Sequence, residues 1–157
     1  MAIGEGDPLP AVTLEGSDGT AVDLRDYRGK PLVLYFYPRD DTSGCTREAS
    51  EFSAALDRFD RAGVRVLGVS KDSAEKHRKF AAKHDLTVPL ATDADGSVCD
   101  AFGVWVEKNM YGRKSMGIER STFLFDAGGA LVKSWRKVRV PGHVDAVLEA
   151  VEALPAA

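Results

Sequence analysis

Cys45 closes the segment Pro38-Arg39-Asp40-Asp41-Thr42-Ser43-Gly44-Cys45, directly after the apolar run Leu32-Val33-Leu34-Tyr35-Phe36-Tyr37 and directly before a stretch with helical periodicity. One thiol is therefore expected at a strand-to-helix turn. A helix N-terminus presents unpaired backbone N–H groups and partial positive charge, and both favour thiolate over thiol. Because the thiolate is the nucleophile, this placement predicts sulfur chemistry. Free cysteines are often buried as small hydrophobes, but Thr42-Ser43-Gly44 before the thiol and Arg47 and Glu48 after it do not have core character.

The surrounding elements follow from periodicity and turn residues. Val12-Thr13-Leu14 and Thr20-Ala21-Val22 flank Glu15-Gly16-Ser17-Asp18-Gly19, which predicts an N-terminal hairpin. Asp23 to Arg28 reads as a short helical turn, and the unbroken apolar run Leu32–Tyr37 as a central parallel strand covered on both faces. Ala49, Phe52, Leu56 and Phe59 recur at helical spacing among charged residues, so an amphipathic helix runs from Thr46 to Gly63. Val64–Val69 is the next strand, followed by a helix to about His84 for which Asp72 and Glu75 form a capping pair. Pro89–Ala91 reads as a short strand, Asp93–Gly96 as a turn and Ser97–Phe102 as a brief helix. Val104 to Ser115 has no regular pattern and reads as a loop. Ser121–Phe125 and Ala130–Trp135 form a hairpin about Asp126-Ala127-Gly128-Gly129, and Pro141-Gly142 precede a last helix lined by Val144, Val147, Leu148 and Val151. Strand–helix units, a hairpin and a closing helix describe an α/β fold, a thioredoxin-like three-layer sandwich with an N-terminal β-hairpin.

Composition narrows the function classes. The chain has 157 residues, enough for one domain spanning 1–157 with a single core. With 21 Lys plus Arg against 24 Asp plus Glu, the net charge of −3 leaves no electrostatic footprint for nucleic acid or an anionic membrane. The N-terminus lacks the basic and apolar regions of a secretory signal, and no apolar run is long enough to span a bilayer, so a cytoplasmic protein is expected. Two cysteines, Cys45 and Cys99, make neither a disulfide scaffold nor a zinc pattern. His77, His84 and His143 lack metal-ligand spacing and read as solvated helix positions; no metal or cofactor is called for. Asp93, Asp95 and Gly96 sit at calcium-loop offsets without the closing Glu, which leaves turn chemistry. Lys76, Arg78, Lys79 and Lys83 give one helix a basic side that either complements its dipole or docks an acidic reductant. Trp105, Met110, Tyr111 and Met116 gather about the irregular segment and serve packing, a dimer contact or a pocket.

Pro38, Thr42 and Cys45 match the Pro-x-x-x-Thr-x-x-Cys motif of peroxiredoxins. Tyr35-Phe36-Tyr37-Pro38, Cys45-Thr46-Arg47-Glu48-Ala49, the stretch from Asp93 to Trp105, and Gly117-Ile118 with Arg120-Ser121-Thr122-Phe123 resemble the bacterioferritin-comigratory, or Q-type, subfamily. The resemblance runs from Gly6 to the last helix. It implies a thiol-dependent peroxidase that reduces hydrogen peroxide and organic hydroperoxides through a Cys45 sulfenic acid. It further implies that the Thr42 hydroxyl and the Arg120 guanidinium bind sulfur and peroxide oxygens, while Pro38 shields the sulfenic acid. The chemistry agrees: charge builds on the departing oxygen, and a planar guanidinium is a fixed, permanently charged donor. Glu48 is placed to orient Arg120. Each helper also has a plainer reading: Thr42 as a helix cap, Pro38 as a strand end, Arg120 and Glu48 as solvated charges.

The pattern departs from many subfamily members at Ser50, where a resolving cysteine is absent, and between His77 and His84, where another subset carries one. Cys99 remains, and is read as a buried structural thiol rather than the resolving one. A one-cysteine mechanism follows, with thioredoxin, glutaredoxin or a small thiol as reductant and a monomer or small homodimer as the assembly. Dithiol exchange of the thioredoxin kind is disfavoured because Cys45 has no Cys-x-x-Cys partner. The competing functional class is a peroxide sensor or redox relay that passes oxidation to a partner, and beyond it a non-catalytic scaffold.

Overall fold

The run Leu32–Phe36 is apolar at every position because the strand it forms is enclosed on both faces. A computed structural model of the chain describes residues 3–154. Its elements are β1 (Thr13–Gly16), β2 (Ala21–Asp23), a 3-10 turn (Leu24–Tyr27), β3 (Leu32–Phe36), α1 (Ser43–Arg61), β4 (Arg65–Ser70) and α2 (Ala74–His84). There follow β5 (Leu90–Thr92), α3 (Ser97–Phe102), β6 (Trp105–Met110), β7 (Arg113–Ile118), β8 (Ser121–Phe125), β9 (Leu131–Trp135) and α4 (His143–Glu152). Seven strands form one sheet in the order β2-β1-β5-β4-β3-β8-β9. β3, β4 and β5 are parallel, and the flanking strands are antiparallel.

Alternation along β3 divides the core. Val33 and Tyr35, with Tyr37 just beyond, face one layer built from α1, α2 and α4, where Ala49, Phe52, Phe59, Phe80, Val147 and Leu148 are buried. Leu32, Leu34 and Phe36 face the opposite layer, where α3 contributes Val98, Cys99 and Phe102. The result is a thioredoxin-like α/β sandwich. Gly68 on β4 lies opposite Tyr35 in register, and a Cβ there would come within 2.5 Å of the Tyr35 ring, so the aromatic layer needs a glycine at this place.

Two expectations fail. The segment expected as a loop is the β6–β7 ribbon, closed by Tyr111 and Gly112 with φ of 55° and 79°. Positive φ at both central residues suits the twist of a two-residue hairpin turn. The ribbon stands outside the main sheet and carries charges on both sides, so it has no alternation of apolar residues to betray it. At α2 the cap is Ser73, whose Oγ accepts from the Lys76 N–H at 3.2 Å, while the Asp72 carboxylate turns instead to Ser70 Oγ and the Asp40 N–H.

Candidate active site

The turn from β3 into α1 makes Thr42 the N-cap and sets Cys45 in the first helical turn. The Thr46 N–H donates to the Thr42 carbonyl at 2.8 Å, so the amides of Ser43, Gly44 and Cys45 precede the first intrahelical bond and leave the helix end electropositive. Cys45 is only 2% exposed. Arg120, in the short connection between β7 and β8, points Nη2 at Cys45 Sγ at 3.3 Å and donates from Nη1 to Glu48 Oε1 at 2.6 Å. Glu48 lies three residues after Cys45, on the same side of α1, and is fully buried. The guanidinium passes over Gly44, where a Cβ would sit 3.2 Å from Nη2. Behind it, the Val138 N–H donates to the Arg120 carbonyl at 3.0 Å and holds the backbone.

Burial pushes the Glu48 carboxyl up to about 7, with the Arg120 guanidinium pulling the other way. Among the described residues Glu48 Oε2 and the Tyr35 hydroxyl are buried without hydrogen-bond partners, which fits a carboxylate whose burial is only partly compensated. For Arg120 burial pulls down, but Glu48 and then Cys45 outweigh it, so the guanidinium is held charged. Burial, then the Arg120 guanidinium, pulls the Lys108 ammonium on β6 below its ordinary value. An open groove of about 500 Å³ beside the first turn of α1 is lined by Ser43, Gly44, Arg47, Arg139, Val140 and Pro141. A different cavity of about 770 Å³, between Lys30, Gly63, Gly128 and Leu154, lies away from Cys45 and is lined by no thiol or hydroxyl. A sulfur at a helix N-terminus with a fixed cation 3.3 Å away is arranged for nucleophilic attack on a bond whose leaving atom becomes negative.

A family model described as the AhpC/TSA family matches residues 5–134. Peroxiredoxin Bcp of Xanthomonas campestris is 52% identical over 149 residues, covering 92% of this chain and 93% of its own length. The chain belongs to the AhpC/TSA family, among its Bcp and Q-type peroxiredoxins. Peroxiredoxin Bcp of Bacillus subtilis is 46% identical over 97% of both chains. The solved structure of Xanthomonas campestris peroxiredoxin Q superposes with a TM-score of 0.87 at 51% identity, covering 92% of this chain and 94% of that one. Another structure, of the bacterioferritin comigratory protein of that species, a protein with alkyl peroxide reduction activity, has a TM-score of 0.87 at 49% identity, covering 94% and 98%. As a peroxiredoxin, the chain is a thiol-dependent peroxidase.

Within this peroxiredoxin, Cys45, Arg120 and Glu48 meet, and neither charge is a solvated one. Thr42 is the cap residue by position but makes no side-chain cap; its hydroxyl donates to the Arg39 carbonyl at 3.0 Å. Pro38 sits half-buried at the bend after β3. Cys99 lies across the sheet in the other core layer, fully buried, and burial followed by Asp93 pushes its thiol well up.

The histidines contradict the solvated reading. His77 is fully buried between Asp40 and the Ala91 carbonyl, and His143 is 6% exposed with Nε2 at 2.8 Å from Thr122 Oγ1. Burial, then Arg120, brings His143 down to about 4. His84 is partly buried against Asp41. The cations on α2 also have partners: Lys76 faces Asp72, Lys79 faces Glu75, Lys83 faces Asp41, and Arg78 donates to the Ser17 carbonyl. Trp105 packs under Lys71, whose Nζ is 4.4 Å from the ring centroid, while Tyr111 is fully exposed at the ribbon turn. Among the described residues no cluster suited to a metal ion occurs and no helix is long and apolar enough to cross a membrane. Gly44, Asp40 and Asp41 were not singled out by sequence; the Gly44 signal would have been the absence of any side chain beside a thiol that needs a close donor.

Proposed function

We propose that Cys45 attacks hydrogen peroxide or an organic hydroperoxide, with alkyl hydroperoxides suggested by the alkyl peroxide reduction activity of the Xanthomonas relative. The sulfur electron pair forms an S–O bond as the O–O bond breaks, giving Cys45 sulfenic acid and an alkoxide or hydroxide that takes a proton from solvent and leaves as alcohol or water. Arg120 stabilises sulfur before attack and the departing oxygen during it, a role worth about 2.7–4 kcal/mol at comparable oxyanion sites. The Thr42 hydroxyl rotates from the Arg39 carbonyl to the bound peroxide, Pro38 limits access to the sulfenic acid, and Glu48 aims the guanidinium. The observation that carries this reading is the 3.3 Å contact between Arg120 Nη2 and Cys45 Sγ at the start of α1.

We further propose that the sulfenic acid is reduced by an external thiol: a first thiol forms a mixed disulfide and releases water, and a second restores Cys45. Support comes from Ser50, which has no thiol, and from Cys99, which belongs to the core on the other face of the sheet. A disulfide requires Cα atoms within about 7 Å, and the Cys99 thiol, pushed up by burial and Asp93, is a poor attacking group. Thioredoxin, glutaredoxin or a small thiol would serve. The same reading takes residues 1–157 as one domain, acting as monomer or small homodimer in the cytoplasm, a reducing setting that suits two free cysteines. Steady turnover of hydroperoxide with dithiothreitol is the expected result; a single oxidised equivalent without turnover would instead mark a sensor or relay.

A further inference from the structure

The loop between β3 and α1 is tied down by a buried polar cluster that the peroxidase chemistry does not itself require. Asp40 Oδ1 accepts from the Tyr37 hydroxyl at 2.5 Å, and Asp40 Oδ2 lies 2.6 Å from His77 Nδ1. His77 Nε2 faces the Ala91 carbonyl at 3.0 Å, and because a carbonyl only accepts, Nε2 carries a proton. The Asp40 side chain is 5% exposed and His77 wholly enclosed. Burial, then Tyr35 and Asp40, pushes the Tyr37 hydroxyl up, so it stays a donor. The Asp40 N–H donates to Asp72 Oδ2 at 2.8 Å. Next to it, Asp41 holds a left-handed φ of 62° and bridges Lys83 and His84 at 2.8 and 2.7 Å.

The contacts of Asp40 and Asp41 tie the backbone between Pro38 and Thr42 to α2 and to Asp72, and the Ala91 carbonyl fixes His77 in turn. Replacing such a buried polar set by apolar groups is often neutral or stabilising, so stability alone does not account for it. Its location does. Resting on the assignment of Cys45 as the peroxide-reacting sulfur, we propose that Asp40 and His77, paired directly and joined by the Tyr37 hydroxyl, are positioning residues that hold the Pro38–Thr42 loop in register with Cys45 for peroxide attack. The pair acts through Pro38 and Thr42 and touches no substrate. It makes α2, which bears none of the reacting groups, part of the machinery that sets the reaction rate.

The test separates position from stability by using two reagents on reduced protein. Attack on hydrogen peroxide needs the whole pocket in place, whereas alkylation by iodoacetamide needs only a reachable, reactive sulfur. Asp40→Asn and His77→Gln are each expected to slow reaction with peroxide about ten-fold or more, since sub-ångström displacement of a reacting constellation has effects of that size or larger. Alkylation is expected to hold or to speed up as the loop loosens. Tyr37→Phe removes one hydroxyl and keeps the ring, which serves if the other variants do not fold; about a five-fold loss in the peroxide rate is expected. Folded variants with peroxide rates within two-fold of the parent, or with both rates lowered in the same proportion, overturn the proposal. Parent protein that consumes no peroxide overturns the Cys45 assignment as well, so the two failures are distinct.

Discussion

Glu48→Gln isolates the cost of placing a carboxyl under Arg120. In the parent chain Oε1 accepts from Arg120 at 2.6 Å, Oε2 has no partner among the described residues, and the residue is fully buried. Burial lifts this carboxyl from 4.5 to about 7 in the folded chain, against the pull of Arg120. Between those values the folded chain keeps a proton that the unfolded chain has released, so stability falls as pH rises through the window and stays reduced above it. At about 1.4 kcal/mol per pH unit the loss is on the order of 3 kcal/mol. His143 works in the opposite sense. Its folded value near 4, set by burial and then Arg120, lies below the ordinary 6.5. Its contribution is therefore fully present above 6.5 and is lost as pH falls through about 4, with a similar magnitude.

The two slopes offset each other over the shared range, and the parent chain should show a nearly flat stability profile there. Glutamine removes one slope and exposes the other, so the variant should gain stability from pH 4 to 6.5 and exceed the parent at pH 8. Urea unfolding of both proteins across this range reads the difference directly. A difference that is constant with pH, or that shrinks as pH rises, would mean that burial does not hold a proton on Glu48. In activity the amide oxygen still accepts from Arg120 but without charge assistance, so the peroxide rate should fall about ten-fold.

Arg120→Met keeps an unbranched apolar stem and removes the donors; the rate with peroxide should drop about 10²- to 10³-fold in stopped-flow measurements. Thr42→Val should lose most of the peroxide rate while Thr42→Ser retains it, because only the hydroxyl is required; equal rates for the two would show that Thr42 does not touch peroxide. Gly44→Ala places a methyl against Arg120 Nη2 and should lower the peroxide rate several-fold while leaving the melting temperature within about 2 °C.

Much of this arrangement is legible in the amino-acid order because its signals are local. The apolar run Leu32–Tyr37, the spacing of Ala49, Phe52 and Phe59, and the glycine turn between β8 and β9 each reflect a neighbourhood of a few residues. The β6–β7 ribbon escaped because strands that project from the main sheet keep polar residues on both faces. His77 and His143 escaped for a different reason. Their burial is made tolerable by Asp40 and Thr122, residues distant in sequence that only the fold brings into contact. Arg120 is legible only through the family resemblance, since no local pattern ties it to Cys45 across the chain; helical spacing puts Glu48 on the side of Cys45, but its pairing with Arg120 depends on that resemblance. Gly44 required knowing where the guanidinium passes.

Whether Cys45 is the sulfur that peroxide oxidises is read by peptide mapping with mass spectrometry after one equivalent of hydrogen peroxide. The expected product carries a sulfenic acid on Cys45, trapped as a mixed disulfide when a small thiol is added, with Cys99 unmodified. Oxidation confined to Cys99, or a Cys45–Cys99 disulfide as the main product, would contradict the account.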